Sequence, residues 1–161
     1  MDLFSLSEQV GNALRSRGLM LATAESCTGG WIAEAITAVP GSSQWFERGF
    51  VTYSNEAKRD LLGVRAATLA QQGAVSEATV GEMAEGALAH SRAQVAVAVS
   101  GVAGPGGGSL EKPVGTVCLA WARAGAVTRT LHTQFSGNRE SIRRQAVAAA
   151  LQGILDRLND R

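Results

Sequence analysis

The sequence predicts a three-layer α/β/α sandwich built on a mixed β-sheet. Three observations carry that expectation. Segments with apolar residues at helical spacing alternate with short, continuous apolar runs, the pattern of helices packed on a buried sheet. Two strand-like segments, Val114 to Ala122 and Ala126 to Thr133, then follow each other across Ala124-Gly125, which makes part of the sheet antiparallel. The chain has 161 residues, 45% hydrophobic and 18% charged, which suits one globular domain over 1–161. At that size roughly 70% of the unfolded chain's surface can be buried.

The elements follow in order. Ser5-Leu6-Ser7-Glu8 has the spacing of a capping box, and Leu6, Val10 and Leu14 continue at helical period until Gly18. Leu19 to Ala24 is a short apolar run, read as a buried strand, which Glu25-Ser26-Cys27-Thr28-Gly29-Gly30 interrupts. Trp31 to Val39 resumes a helical pattern that Pro40-Gly41 stops. Gly49 to Tyr53 reads as the next strand, with Ser54 placed to cap a helix through Leu62. Ser76 likewise caps a helix from Glu77 to Arg92, with Val80, Met83, Ala84, Ala87 and Leu88 on one stripe. Gln94 to Ser100 alternates Val and Ala, as a strand buried on both faces does. A glycine-rich loop, Gly101 to Lys112, leads into the strand pair. Asn138 caps a last helix that turns Ile142, Ala146, Ala149, Ala150 and Ile154 inward. There is no internal repeat, linker or low-complexity segment.

Charge and cysteine content narrow the function classes. Fifteen Lys+Arg against fourteen Asp+Glu leave a formal charge of +1, so no global attraction draws nucleic acid or an anionic membrane. An anionic ligand must be met by a local site. Cys27 and Cys118 are too few for a disulfide framework, and no CxxC or His/Cys cluster indicates zinc. No metal and no cofactor is expected. The first twenty residues lack a positively charged start and an unbroken apolar core, and no apolar run reaches the ~18 residues of a membrane span. The expected setting is cytoplasmic, with a small-molecule substrate and self-association into a homo-oligomer whose size the sequence does not specify. Arginine supplies nearly all the positive charge, the only lysines being Lys58 and Lys112.

Four segments could carry chemistry. The Glu25–Gly30 segment sits where a strand end meets a helix start, the position of the ligand crevice in open α/β sheets. A helix N-terminus there offers N–H groups and partial positive charge to a phosphate or an oxyanion, and glycines allow close backbone approach. A merely polar, capped turn has the same spacing. No GxxxxGK[ST] or strand-linked GxGxxG is present. Ser26 and Cys27 compete as nucleophile. Cysteine would want a histidine, and the only histidines are His90 and His132. Serine can use a lysine whose ammonium is destabilised. Tyr53-Ser54-Asn55-Glu56-Ala57-Lys58 supplies one: with Ser54 as cap, Lys58 lies just past the first helical turn, near the positive end of the dipole. Tyr53 could relay a proton or hydrogen-bond the nucleophile. Taken singly, each also reads as an ordinary surface or packing residue. The loop Ser100 to Ser109 has six Gly or Pro positions, either a ligand cradle or a long connection. Gly137-Asn138-Arg139 sets an arginine against the helix dipole, a conflict that a bound anion would resolve.

Together the stretches AESCTGGWIAEAIT, WFERGFVTYSNEAKRDLLGV, GAVSEATVGEMAEGAL, AVAVSGVAGPGGGSLEKPVGTV and SGNRE resemble the C-terminal domain of the competence/damage-inducible CinA family, in the family's order and over nearly the whole chain. The resemblance extends to that family's stand-alone nicotinamide-nucleotide amidases. It implies an α/β sandwich and hydrolysis of nicotinamide mononucleotide to nicotinate mononucleotide and ammonia. It also implies Ser26 as nucleophile, helped by Tyr53 and Lys58, with Ser100 and Arg139 contributing to substrate binding. Many relatives carry Thr where Ser100 stands. These 161 residues leave no room for the ADP-ribose-linked domain of longer family members, so that activity is not expected of them. On this reading Lys58 takes the Ser26 proton directly or through Tyr53. N–H groups near Thr28, Gly29 and Gly30 hold the oxyanion, and Arg139 with the glycine loop, including Gly101 and Gly104, grips the phosphate. A non-catalytic nucleotide-binding module and a cysteine hydrolase using Cys27 stand as the alternatives.

Overall fold

The structure is a computed structural model that describes residues 2–159. Five strands form one mixed sheet: β1 (Leu21–Glu25), β2 (Phe46–Val51), β3 (Val95–Gly101), β4 (Thr116–Arg123) and β5 (Arg129–Gln134), in the spatial order β2-β1-β3-β4-β5. β1 is parallel to both β2 and β3, whereas β4 runs antiparallel to β3 and β5 antiparallel to β4. Helices α1 (Leu3–Ser16), α2 (Trp31–Thr37) and α6 (Arg139–Asn159) cover one face, and α3 (Asn55–Leu62), α4 (Ala66–Gln72) and α5 (Glu77–Ala89) the other. This is the expected sandwich with its late hairpin.

Side-chain size explains why the two faces differ. Successive strand residues point to opposite faces, so Val95, Val97 and Val99 of β3 join Val117, Leu119 and Trp121 of β4 in the core beneath α1, α2 and α6. Ala96, Ala98, Cys118, Ala120 and Ala122 face α5. The alanine face brings α5 close. Helix contact there is tight as well: a Cβ on Gly86 of α5 would lie 1.9 Å from the Leu62 carbonyl oxygen at the end of α3.

Three local expectations need correction. Helix α1 starts before the capping box, because Asp2 is the cap: its Oδ1 accepts from the Ser5 N–H at 2.8 Å. Strand β2 starts at Phe46 and ends at Val51, so Tyr53 lies beyond it on the way into α3. Helix α4 was not anticipated. It is short, buries only Thr68 and Leu69, and has no side-chain cap at Arg65, so it carries neither signal from which a helix is read. The caps Ser54, Ser76 and Asn138 are as expected: each side-chain oxygen accepts an N–H three residues on.

The topology places the site. β1 leads through α2 to β2 on one side, and β2 leads through α3, α4 and α5 to β3 on the other. The carboxyl ends of β1, β2 and β3 therefore open side by side at a switch point, where open α/β sheets bind ligands. Ser26 N–H donates to the Val99 carbonyl at 3.0 Å, and Thr52 N–H to the Glu25 carbonyl at 2.8 Å, which ties the three exits together. Among the described residues no helix is long and apolar enough to cross a membrane.

Candidate active site

The loop that carries Ser26 is held from both sides. Gly29 and Gly30 take left-handed conformations, φ 61° and 109°, which let the chain leave β1 and enter α2 within a few residues. Glu25 is fully buried, and its carboxylate accepts from the Thr28 hydroxyl and from the N–H groups of Ile32 (2.8 Å) and Ala33 (3.1 Å). A carboxylate is favourable at this positive helix end, and here it comes from the protein itself. From α6, the Arg143 Nε donates to the Cys27 carbonyl at 3.0 Å and its Nη2 to the Thr28 carbonyl at 3.1 Å, while the guanidinium lies 5.5 Å from the Trp31 ring centre. One buried acid and one arginine thus hold the turn on which the Ser26 hydroxyl sits.

That hydroxyl meets Lys58. Lys58 is 1% exposed, among the largest side chains fully buried, and its Nζ lies 3.0 Å from Ser26 Oγ. The same nitrogen donates to the carbonyls of Thr52 at 2.8 Å and Tyr53 at 3.1 Å. Burial lowers the Lys58 pKa, and the neighbouring Cys27 opposes that shift. The three partners are not equivalent. Carbonyl oxygens only accept, so two N–H bonds must go to Thr52 and Tyr53 in either protonation state. A hydroxyl both donates and accepts. A neutral Lys58 keeps its two protons on the carbonyls and turns its lone pair to Ser26 Oγ–H, the arrangement of a general base.

The other expected residues divide. Ser26, Tyr53, Lys58, Ser100, Gly101, Gly104 and Arg139 all line one cavity of about 330 Å³. Ser100 is buried at the end of β3, and Arg139 Nη1 donates to the Gly104 carbonyl at 2.8 Å, which anchors the glycine loop to α6. Among the described residues no main-chain bond engages the N–H groups of Ala103, Gly104, Gly106 or Gly107. Tyr53 meets Lys58 through its carbonyl, and the residue as a whole is 65% exposed at the mouth. Thr28, Gly29 and Gly30 lie outside the cavity wall. Glu25 takes the Thr28 hydroxyl and the N–H groups of Ile32 and Ala33, and the Gly29 N–H donates to the Ser26 carbonyl at 3.1 Å, so these donors are already engaged within the turn. Cys27 lines the cavity, but burial pushes its thiol up to about 12, which keeps it protonated and poorly nucleophilic.

Glu25 and Arg143 were not singled out from sequence. A charged residue closing an apolar strand just before a helix is a weak sign of such an internal cap. Arg143 stands one helical turn after Arg139, so both reach the same side of α6. Among the described residues no three His, Cys, Asp or Glu side chains converge as a metal site would require.

Residues 3–158 match the CinA C-terminal domain family. The chain belongs to the CinA family. It is 62% identical over 153 residues to the nicotinamide-nucleotide amidohydrolase PncC of Escherichia coli K12, covering 95% of this chain and 93% of that one. It is 56% identical over 151 residues to the protein of the same name from Pseudomonas putida, covering 94% of each. Among CinA-family crystal structures, the competence/damage inducible protein CihA from Agrobacterium tumefaciens superposes with a TM-score of 0.95 at 48% identity, covering 99% of this chain and 97% of that one. Competence damage-inducible protein A from Klebsiella pneumoniae gives 0.96 at 45% identity and 99% of both chains. The CinA fold is therefore shared over the whole described chain.

Proposed function

We propose that this CinA-family chain is a nicotinamide-nucleotide amidase that hydrolyses nicotinamide mononucleotide to nicotinate mononucleotide and ammonia, with Ser26 as nucleophile. The reaction is that of the PncC relatives, which this chain matches over nearly its full length. The single observation that supports the serine mechanism is the buried Lys58 Nζ at 3.0 Å from Ser26 Oγ.

Neutral Lys58 accepts the Ser26 proton as Oγ bonds to the carboxamide carbon. The direct contact favours Lys58 over Tyr53 as the base. Tyr53 contributes the carbonyl that orients Lys58, and its phenol faces substrate at the mouth. The Cys27 N–H, next after the nucleophile, is the natural first donor to the oxyanion, and a donor of this kind is worth roughly 10²–10³ in rate. Collapse of the tetrahedral adduct breaks the C–N bond, and the leaving nitrogen takes the proton from Lys58 to depart as ammonia. Water, deprotonated by the same lysine, then cleaves the acyl-serine to give nicotinate mononucleotide and free Ser26. Arg139 and the N–H groups of the glycine loop grip the phosphate, and Ser100 contacts the bound nucleotide from the end of β3.

Incubation with nicotinamide mononucleotide, measuring ammonia and nicotinate mononucleotide together, tests this reading. Stoichiometric release by the wild type and none by a folded, nucleotide-binding Ser26→Ala variant is the expected result. Binding without release by the wild type would make the chain a binding module instead.

A further inference from the structure

The glycine loop between β3 and β4 has little main-chain support of its own. At its base the Val102 N–H donates to the Thr116 carbonyl at 2.8 Å and the Gly115 N–H to the Val102 carbonyl at 2.7 Å. Further out the loop folds back on Val114, which a Cβ on Gly104 would approach to 2.4 Å and one on Gly108 to 2.8 Å. Among the described residues no main-chain hydrogen bond reaches residues 103–108. Yet this span supplies Ala103, Gly104, Gly106 and Gly107 to the wall of the Ser26 cavity.

Two side-chain contacts fasten the loop to the two helix layers. Toward α6 it is Arg139, whose Nη1 donates to the Gly104 carbonyl at 2.8 Å. Toward the other layer it is Lys112, one of the chain's two lysines. Its Nζ donates at 2.6 Å to the carbonyl of Gln72, the last residue of α4. Among the described residues that carbonyl takes no main-chain N–H, as is usual at a helix end, and an ammonium is a natural partner for it. Gly73 allows the approach: it is left-handed, φ 78°, and a Cβ there would stand 3.4 Å from Nζ.

Both ends of this contact are fixed. Lys112 closes a turn with Ser109, its N–H donating to Ser109 Oγ and its carbonyl accepting the Ser109 N–H, each at 3.0 Å. The Gly73 carbonyl accepts from Thr79 Oγ1 at 2.7 Å and from Ser76 Oγ at 3.2 Å, which holds the α4–α5 connection to the start of α5. Ala74 and Val75 of that connection also line the cavity. Lys112 thus joins two separate parts of the cavity wall without lining it.

We propose that Lys112 is a positioning residue for substrate binding. Its bond to Gln72 sets the spacing between the glycine loop and the α4–α5 connection, and so holds the N–H groups of Ala103, Gly104, Gly106 and Gly107 toward the phosphate-bearing end of the substrate. This role depends on the nucleotide reading proposed above, since it is the phosphate that those N–H groups would hold. Ser26 and Lys58 stand on the exit of β1 and on α3, which the contact does not touch, so the effect falls on binding and not on the chemical step.

Lys112→Met, which keeps the stem and removes the ammonium, tests this on the intact protein beside Lys112→Arg. In the methionine variant KM for nicotinamide mononucleotide should rise about fivefold, with kcat within about twofold of wild type. The arginine variant again offers Gln72 a cation and should recover most of the wild-type KM. The unliganded protein gives a readout free of the nucleotide: thermolysin should cut before Leu110, a fully exposed residue of the same loop, several-fold faster in the methionine variant than in the other two proteins. Wild-type KM in the methionine variant would overturn the proposal, as would equal losses in both variants. A wild type that neither binds nor hydrolyses the mononucleotide overturns the nucleotide reading and this role with it, whereas unchanged cutting at Leu110 overturns the Lys112 tie alone.

Discussion

Lys58 Nζ lies 3.0 Å from Ser26 Oγ and is also bonded to two main-chain carbonyls, which leaves the serine as the one partner able to donate to it. Lys58→Arg separates this role from packing. A guanidinium stays protonated at any working pH, so it cannot act as base. Turnover of nicotinamide mononucleotide should fall by at least about 100-fold, while the nucleotide still binds. Wild-type turnover by the arginine variant would remove Lys58 from the mechanism.

The pH dependence follows from the direction of the Lys58 shift. Burial lowers its pKa from the ordinary 10.5, so the neutral, active form grows as pH rises, and kcat should climb through an apparent pKa below that value. The linkage has the matching sign. Between the folded and the unfolded pKa the unfolded chain binds more protons, so this group makes the fold more stable as pH rises across that window. Initial-rate profiles and denaturant midpoints across alkaline pH measure both.

Cys27 is adjacent to Ser26 yet held as a thiol, its pKa pushed up to about 12 by burial. Cys27→Ser should keep most of the turnover, and Ser26→Ala should lose it. Inactivation in the opposite order, measured as ammonia release, would make Cys27 the nucleophile.

Arg143 touches the carbonyls of Cys27 and Thr28, not the cavity. Arg143→Ala should therefore lower kcat, by up to about 100-fold if the serine moves by an ångström, with KM little changed. Arg143→Lys, which restores a donor to one carbonyl, should recover part of that loss. Loss of thermal stability with kcat intact would confine Arg143 to a structural role.

Gly86→Ala sets helix propensity against packing. Alanine favours a helix interior by ~1 kcal/mol, but its Cβ would fall 1.9 Å from the Leu62 carbonyl oxygen, a main-chain atom that cannot rotate away. Overpacking of this kind costs roughly 1–3 kcal/mol, so the melting temperature should drop. A higher melting temperature would mean that α3 and α5 can separate freely.

What the sequence alone determined is what spacing along the chain can encode. Val/Ala alternation in β3 sorted a large and a small face, and Ser54, Ser76 and Asn138 announced their helices because a cap acts on N–H groups three residues away. Ser26 and Lys58 stood out as candidates, each with an ordinary alternative. The tertiary structure supplies the contacts that bear on those readings, because those contacts join residues far apart in the chain. Lys58 reaches Ser26 across 32 positions, and Arg143 reaches Cys27 across 116. It also shows contacts that local spacing did not: Tyr53 offers its carbonyl to Lys58, and the N–H groups of Ile32 and Ala33 go to Glu25. A glutamate at a strand end could face solvent, a substrate or its own helix. Burial on all sides at the sheet's switch point leaves it only the helix.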